Sequence, residues 1–195
     1  MNSGKIEERK KISNGNAQWT VTNYDAFGRT IFTGLIYRNE VDSTAYYSSI
    51  RDVFSSLVVD DSYTGFSSAI PLTVNYYDNY SFLSNYSTDI TYQPLENYGK
   101  AYPEAETTAD KLNATGLLTG TRVYYLDGSG NSNVMAMYYD DDAKVVQSRS
   151  TNHLGGYDLV YNLYDFTGKV LKTLKKHKIA TFTIVTGKQI GRAHV

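Results

Sequence analysis

The stretch Tyr164-Asp165-Phe166-Thr167-Gly168-Lys169 decides the fold class, because its pattern occurs three times in the chain. It occurs first as Tyr24-Asp25-Ala26-Phe27-Gly28-Arg29, and Tyr139-Asp140-Asp141-Asp142-Ala143-Lys144 is a copy with alanine in place of glycine. The Asp side chain can accept a backbone N–H two residues on, and glycine permits the positive φ of a tight turn. Because β-branched or apolar residues flank the copies, the pattern predicts hairpin turns between antiparallel strands.

The composition agrees with a mainly β protein. The 195 residues include 19 tyrosines against seven phenylalanines and one tryptophan, and tyrosine favours strands. The 41% of hydrophobic residues is enough to bury a core, and the 19 basic residues balance 20 acidic ones. Because no basic stripe dominates the sequence, a nucleic-acid partner is not expected. The absence of cysteine excludes disulfides and thiolate metal sites, and no cofactor is predicted.

A series of short alternating or apolar segments predicts the strands. Gln18–Tyr24 and Thr30–Tyr37, on either side of the first turn, form the clearest hairpin. The sequence predicts further strands at Pro71–Tyr77, Thr119–Leu126, Asn133–Tyr139, Val145–Ser150, Tyr157–Tyr164 and Lys169–Lys175. The predicted fold is therefore an antiparallel β-hairpin meander or spiral sheet.

The repeat pattern divides the chain into three regions. Residues 1–15 form a polar N-terminal segment, residues 16–178 a degenerate repeat region, and residues 179–195 a non-native or disordered tail. Gln189–Val195 resembles the conceptual translation of a sequencing-library adapter, so we expect the native protein to continue differently. No stretch has the length of apolar residues that a membrane helix needs, and the N-terminus lacks the apolar run of a signal peptide.

An insertion at residues 38–118 interrupts the repeats. Tyr46, Ile50 and Leu57 follow helical spacing, which predicts one amphipathic helix at about residues 43–57. Asn79–Pro103 holds five tyrosines with little periodicity, which predicts a long loop with a short strand at Asp89–Tyr92. Cross-strand packing is the commoner role of such tyrosines, and sugar binding is the alternative. The candidate ligand-binding aromatics are Tyr76, Tyr77, Tyr80, Tyr86, Tyr92, Tyr98 and Tyr102.

Motifs for chemistry are weak in this chain. Asp127, Ser129, Asn131 and Asn133 alternate like calcium ligands, but Ser132 and Tyr138 occupy the positions that require glycine and glutamate. The three histidines belong to no metal or nucleophile motif, and no local spacing marks a pair of catalytic carboxylates. We therefore predict no catalytic, cofactor-binding or metal residue, and no enzymatic activity.

The three turns, together with Leu118-Thr119-Gly120-Thr121 and Asn152-His153-Leu154-Gly155-Gly156, resemble the YD repeats of the bacterial Rhs (rearrangement hotspot) family. The resemblance is to its large surface or secreted members, often described as sugar-binding, and runs from about Gln18 to His177. It implies a spiral sheet of hairpins that forms a shell around a C-terminal effector such as a toxin. The departures are Ala143 and the long insertion. The self-cleaving core of some relatives is not visible, so no catalytic residue is carried over.

The resemblance implies a secreted or cell-surface, non-enzymatic structural segment whose partners are neighbouring repeats of its own polypeptide and that effector. The alternative is a cell-surface carbohydrate-binding or adhesion module that uses exposed tyrosines. An enzyme would need a cluster of carboxylates, or His153, in a pocket. The residues expected to build the repeats are Tyr24, Asp25, Gly28, Arg29, Tyr139, Asp140, Lys144, Tyr164, Asp165, Gly168 and Lys169.

Overall fold

A computed structural model describes residues 3–12, 16–39, 69–86, 88–104, 111–179 and 182–189. These residues form ten β-strands and two short 3-10 helices, at Ser81–Asn85 and Thr88–Ile90. The prediction of a mainly β protein with antiparallel pairing is confirmed. The strands are β1 Ser3–Ile12, β2 Asn16–Tyr24, β3 Thr30–Asn39, β4 Ala69–Asp78, β5 Ala114–Tyr124, β6 Ser132–Tyr139, β7 Val145–Thr151, β8 Tyr157–Tyr164, β9 Val170–Lys178 and β10 Thr183–Gln189.

The chain divides into two compact units, and the first comprises Met1–Asn75 with Val123–Asn131. In this unit β2 pairs antiparallel with β1 on one side and with β3 on the other, and β3 pairs with the start of β4. The buried apolar side chains in this part of the sheet are Val21, Ile31, Phe32 and Val74.

The second unit comprises Tyr76–Arg122 and Ser132–Val195. Strands β6 to β10 follow one another in chain order, each paired antiparallel with the next. The registers place Tyr139 opposite Val145 and Tyr164 opposite Val170, with an irregularity in the register just before each pair. Both irregularities therefore occur where a strand runs into a Tyr-Asp turn.

The tyrosine-rich segment after β4 packs against strand β6 and forms the hydrophobic core of the second unit. Tyr138 is fully buried, and its ring stacks on Tyr80 with centroids 5.0 Å apart and lies 5.2 Å from Tyr92. Tyr76 stacks on Phe82 at 4.2 Å. The aromatic composition of this segment is thus used for packing, the commoner of the two roles considered for it.

Side chains of β6 and β7 hold the same segment by its backbone. The Tyr138 hydroxyl donates a hydrogen bond to the Ile90 carbonyl at 2.7 Å, and Arg149 Nε donates to the Asp89 carbonyl at 2.8 Å. Gln147 accepts a hydrogen bond from the Gln93 N–H and donates one to its carbonyl. Because buried polar groups are costly when unpaired, these bonds fix the segment in one position on the sheet.

Several predicted boundaries differ from the structure. Thr88–Ile90 is a 3-10 helix where a short strand was expected at Asp89–Tyr92, because this stretch packs over the sheet instead of pairing in it. The assignments of the two end segments stay predictions: Ser3–Ile12 of the polar N-terminal segment is β1, and Thr183–Gln189 of the tail is β10, which pairs with β9. The predicted helix at about residues 43–57 lies outside the described residues and stays a prediction.

The three Tyr-Asp turns have the same hydrogen bonds. One carboxylate oxygen of Asp25, Asp140 or Asp165 accepts the backbone N–H groups of the residues two and four positions later, at 2.8–3.1 Å. Asn152 accepts the same two bonds, from Leu154 and Gly156, in the turn between β7 and β8. An amide oxygen can therefore replace a carboxylate oxygen as the acceptor in this turn.

Replacing Ala143 with glycine is expected to stabilise the protein by about 1 kcal/mol, because alanine here has a φ of 61°, a left-handed conformation that costs a residue with a Cβ. The matched control is Gly168→Ala at the equivalent position, where φ is 84° and the new methyl group would meet only ordinary contacts. It should destabilise the protein by a similar amount. Urea unfolding measures both changes, and equal stability of the two variants and the parent would contradict the expectation.

Candidate functional site

The second unit contains a groove of about 590 Å³. It lies where the loop at residues 99–104 meets the two repeat turns of this unit. Two hydrogen bonds fix that loop on the strand ends: the Gly99 N–H donates to the Asn162 carbonyl and the Tyr102 N–H to the Tyr139 carbonyl, each at 2.9 Å. The groove is lined by Gly99, Lys100, Tyr102, Glu104, Asp140, Asp141, Asp142, Lys144, Val146, Leu163, Tyr164, Asp165 and Phe166.

The two turns in the groove lie side by side. A methyl group on Gly168 would lie 3.4 Å from Lys144 Cε, in ordinary van der Waals contact. The Tyr164 hydroxyl donates a hydrogen bond to the Val145 carbonyl at 2.9 Å, which ties the end of β8, where the third turn begins, to the start of β7, where the second turn ends. The structure thus brings together the second and third copies of the motif. The first copy lies in the other unit.

Five carboxylates and two lysines line the groove, so its charge is negative. Lys144 Nζ lies 2.7 Å from an Asp142 oxygen, and this hydrogen bond holds the pKa of Lys144 above its usual value. Lys100 pairs with Glu104 at 3.8 Å. The Thr167 hydroxyl and the Lys169 N–H donate hydrogen bonds to Asp165 and hold the pKa of that carboxyl below its usual value. Asp165 is therefore a permanent anion at neutral pH.

Aromatic rings form the rest of the groove wall. Tyr102 is 43% exposed and Phe166 is 95% exposed, whereas Tyr164 is half-buried. Rings and carboxylates together can bind a polar ligand by ring contact and by accepting hydrogen bonds. Asp165 itself is suited to accepting hydrogen bonds or balancing a cation, because a carboxyl with a lowered pKa is a poor proton donor.

The seven tyrosines predicted as candidate ligand contacts lie in different environments. Tyr80 and Tyr92 are core residues: the Tyr80 hydroxyl donates to the Met137 carbonyl at 2.8 Å, and the Tyr92 hydroxyl accepts the Ala101 N–H at 2.9 Å. Tyr76 and Tyr86 are partly buried against the same core. These four rings contribute to the interior of the unit.

The remaining three predicted aromatics do not belong to this core cluster. Tyr77 is half-buried in β4, and Tyr98 lies beside Tyr161 with ring centroids 6.0 Å apart. Tyr102 alone of the seven lines the groove. Binding of saccharides stays a prediction, and Tyr102 is the position through which it can be examined most directly.

Sequence reasoning did not select Lys100, Glu104 or Phe166 as site residues. The first two come from the insertion, and only the folded loop brings them to turns that follow roughly 40 and 60 residues later in the sequence. A signal for Phe166 was present, because an apolar residue between Asp and Gly of a tight turn is exposed in this geometry. Its position in the groove depends on the neighbouring loop.

The described parts of the chain contain no group of three or more histidine, aspartate or glutamate side chains placed to hold a metal ion. They also contain no helix with the length and hydrophobicity required to span a bilayer. Comparison with protein-family models, with curated proteins and with solved structures finds no match to this chain.

Proposed function

We propose that this chain is a non-enzymatic scaffold segment of a secreted or cell-surface YD-repeat protein of the Rhs type. Its hairpins pair along an array that encloses or presents a C-terminal effector. The observation that carries the proposal is the close approach of successive repeat turns: a methyl group added to Gly168 would lie 3.4 Å from Lys144 Cε of the preceding turn, and both turns have the same hydrogen bonds.

The repeat provides a unit that can be added in any number of copies. Tyr139 and Tyr164 are 25 residues apart, and the intervening chain supplies one turn, β7, the Asn152 turn and β8. Each such unit offers the next unit a strand edge with which to form hydrogen bonds. It also offers a turn against which the next turn can pack. Stability in such arrays is approximately a sum of unit and nearest-neighbour contributions, so a scaffold of this kind tolerates changes in repeat number.

Duplicating the unit tests the proposal. Inserting a second copy of Asp140–Tyr164 directly after Tyr164 is expected to give a folded protein with more β structure and an unfolding midpoint no lower than that of the parent. The slope of unfolding free energy against urea should rise by roughly a tenth, because more surface is exposed on unfolding. Circular dichroism and urea unfolding measure these quantities.

The matched control inserts the same residues in scrambled order at the same position. It adds an equal length of chain without the turn and strand pattern, and its midpoint should fall. If the duplicated chain loses as much stability as the scrambled one, the second unit is a closed domain and the array proposal fails.

A further inference from the structure

Strand β9 has a concentration of positive charge that the balanced composition conceals. Lys169–Lys178 contains five lysines and one histidine and no acidic residue. Side chains alternate between the faces of a strand, so Lys172, Lys176 and Lys178 share one face and Lys175 and His177 share the other. We call the first of these the lysine face.

Each ammonium group of the lysine face lies over a tyrosine ring of the same unit. Lys172 Nζ is 4.8 Å from the ring centroid of Tyr98, and Lys178 Nζ is 4.9 Å from that of Tyr157. Lys176 Nζ is 5.7 Å from the ring centroid of Tyr161. The rings hold the lysine side chains in place, and all three lysines are partly exposed.

A fourth cation lies beneath this face. Arg149 is 1% exposed, and its guanidinium carbon is 5.8 Å from the Tyr157 ring centroid. It donates hydrogen bonds to the Asp89 carbonyl and the Tyr161 hydroxyl, which are neutral groups. The buried charge of Arg149 therefore adds to the positive potential of Lys176 and Lys178, which contact the same two rings.

None of these four cations has a carboxylate within ion-pair distance in the portion of the chain that the structure describes. The carboxylate contact of this strand lies on its other face, where the His177 ring meets Asp158. Like charges held close together repel one another, and an anionic partner relieves that repulsion.

The geometry of the lysine face indicates what kind of anion fits. Residues of a strand rise about 3.3 Å each, so the lysine positions are spaced by about 7 and 13 Å along β9. An extended peptide with acidic residues at alternate positions repeats its carboxylates at about 7 Å on one side. Because ammonium groups cover the tyrosine rings, the face offers charges and no open ring for stacking a base or a sugar.

We propose that the lysine face of β9 binds an extended acidic polypeptide segment, with carboxylates at alternate positions paired to Lys172, Lys176 and Lys178. This inference is independent of the scaffold proposal, because it rests on the charges of one strand and not on the repeat. Such a partner would dock across β8 and β9 of the second unit.

The test uses the full chain and a fluorescently labelled peptide in which glutamate and threonine alternate. Anisotropy should show binding that weakens steeply as salt is added, because exposed ion pairs are screened. The triple variant Lys172→Gln, Lys176→Gln, Lys178→Gln should bind at least about tenfold more weakly. Lys175→Gln with Lys188→Gln, two lysines outside the lysine face, should change affinity by less than about twofold.

A triple arginine variant at positions 172, 176 and 178 separates charge from packing. It keeps the positive charges and should retain most of the affinity, while circular dichroism shows that all variants are folded. The proposal is overturned if the peptide does not bind the parent, or if the glutamine variant binds as well as the parent. Binding of single-stranded DNA of equal charge without binding of the peptide would overturn it in favour of a nucleic-acid site.

Discussion

Replacing Tyr138 with alanine is expected to lower the free energy of unfolding by about 4 kcal/mol, the upper part of the range for truncating a large buried side chain. The side chain is fully buried between Tyr80 and Tyr92, and its hydroxyl holds the Ile90 carbonyl. The change removes both ring contacts and leaves that carbonyl without its partner. The inserted aromatic segment should therefore loosen before the strands separate.

Two measurements distinguish this outcome from a general loss of stability. Tyr138→Phe keeps the ring and removes only the hydrogen bond, so it should cost about 1–3 kcal/mol by urea unfolding. Hydrogen exchange of Tyr138→Ala should show the greatest loss of protection at residues 79–104, with less change in β8 and β9. Equal loss of protection throughout the unit would show that the segment and sheet unfold together.

Raising the pH above 10 is expected to unfold the second unit cooperatively. Burial raises the pKa of several tyrosines above the value of an exposed phenol, which is near 10 in the unfolded chain. A raised folded-state pKa gives stability that is fully present below about pH 10 and is lost as the pH rises through the folded-state value. The affected residues are Tyr80, Tyr92, Tyr138, Tyr139, Tyr161 and Tyr164.

Phenolate absorbance and circular dichroism followed together measure this transition. The exposed tyrosines should ionise first without loss of β structure, and the buried ones should ionise in one step that coincides with unfolding. Tyr138→Phe removes one buried phenol and provides the control, because its stability should depend less steeply on pH in this range. Ionisation of every tyrosine near pH 10 with the β signal intact would contradict the buried environments described above.

The sequence predicted the fold class because the signals for strands and turns each lie within a short stretch of the chain. Alternation of apolar and polar residues indicates a strand, and an Asp two residues before an exposed tip indicates a turn. Both signals are complete within a few residues, as at Tyr164–Lys169. The turn at Asn152 shows that Asn in place of Asp forms the same turn, because its side chain supplies the same acceptor oxygen.

The position of the tyrosine-rich insertion could not be predicted in the same way. Its attachment depends on Gln147 and Arg149, which face the segment from a strand more than 50 residues further along the chain. Neither residue is apolar, so a search for core positions passes over both. Their burial follows from hydrogen bonds to backbone groups of the segment, and a backbone carbonyl has no signature in the amino-acid sequence.

The lysine face was missed for a different reason. Net charge averages the whole chain, whereas electrostatic potential depends on which side chains share a face. Strand alternation would have placed Lys172, Lys176 and Lys178 together, but their contacts with Tyr98, Tyr161 and Tyr157 require the paired strands and the folded insertion.

The attachment of the insertion through its backbone also determines which substitutions the sequence can tolerate during evolution. Asp89 and Gln93 contribute only main-chain atoms to Arg149 and Gln147, and their own side chains are exposed. Substitutions at these two sites leave the attachment unchanged, so related sequences are free to vary there. Gln147 and Arg149 supply the side-chain donors and acceptor. We therefore expect homologues to keep these two residues even where the amino-acid sequence of the attached segment has changed.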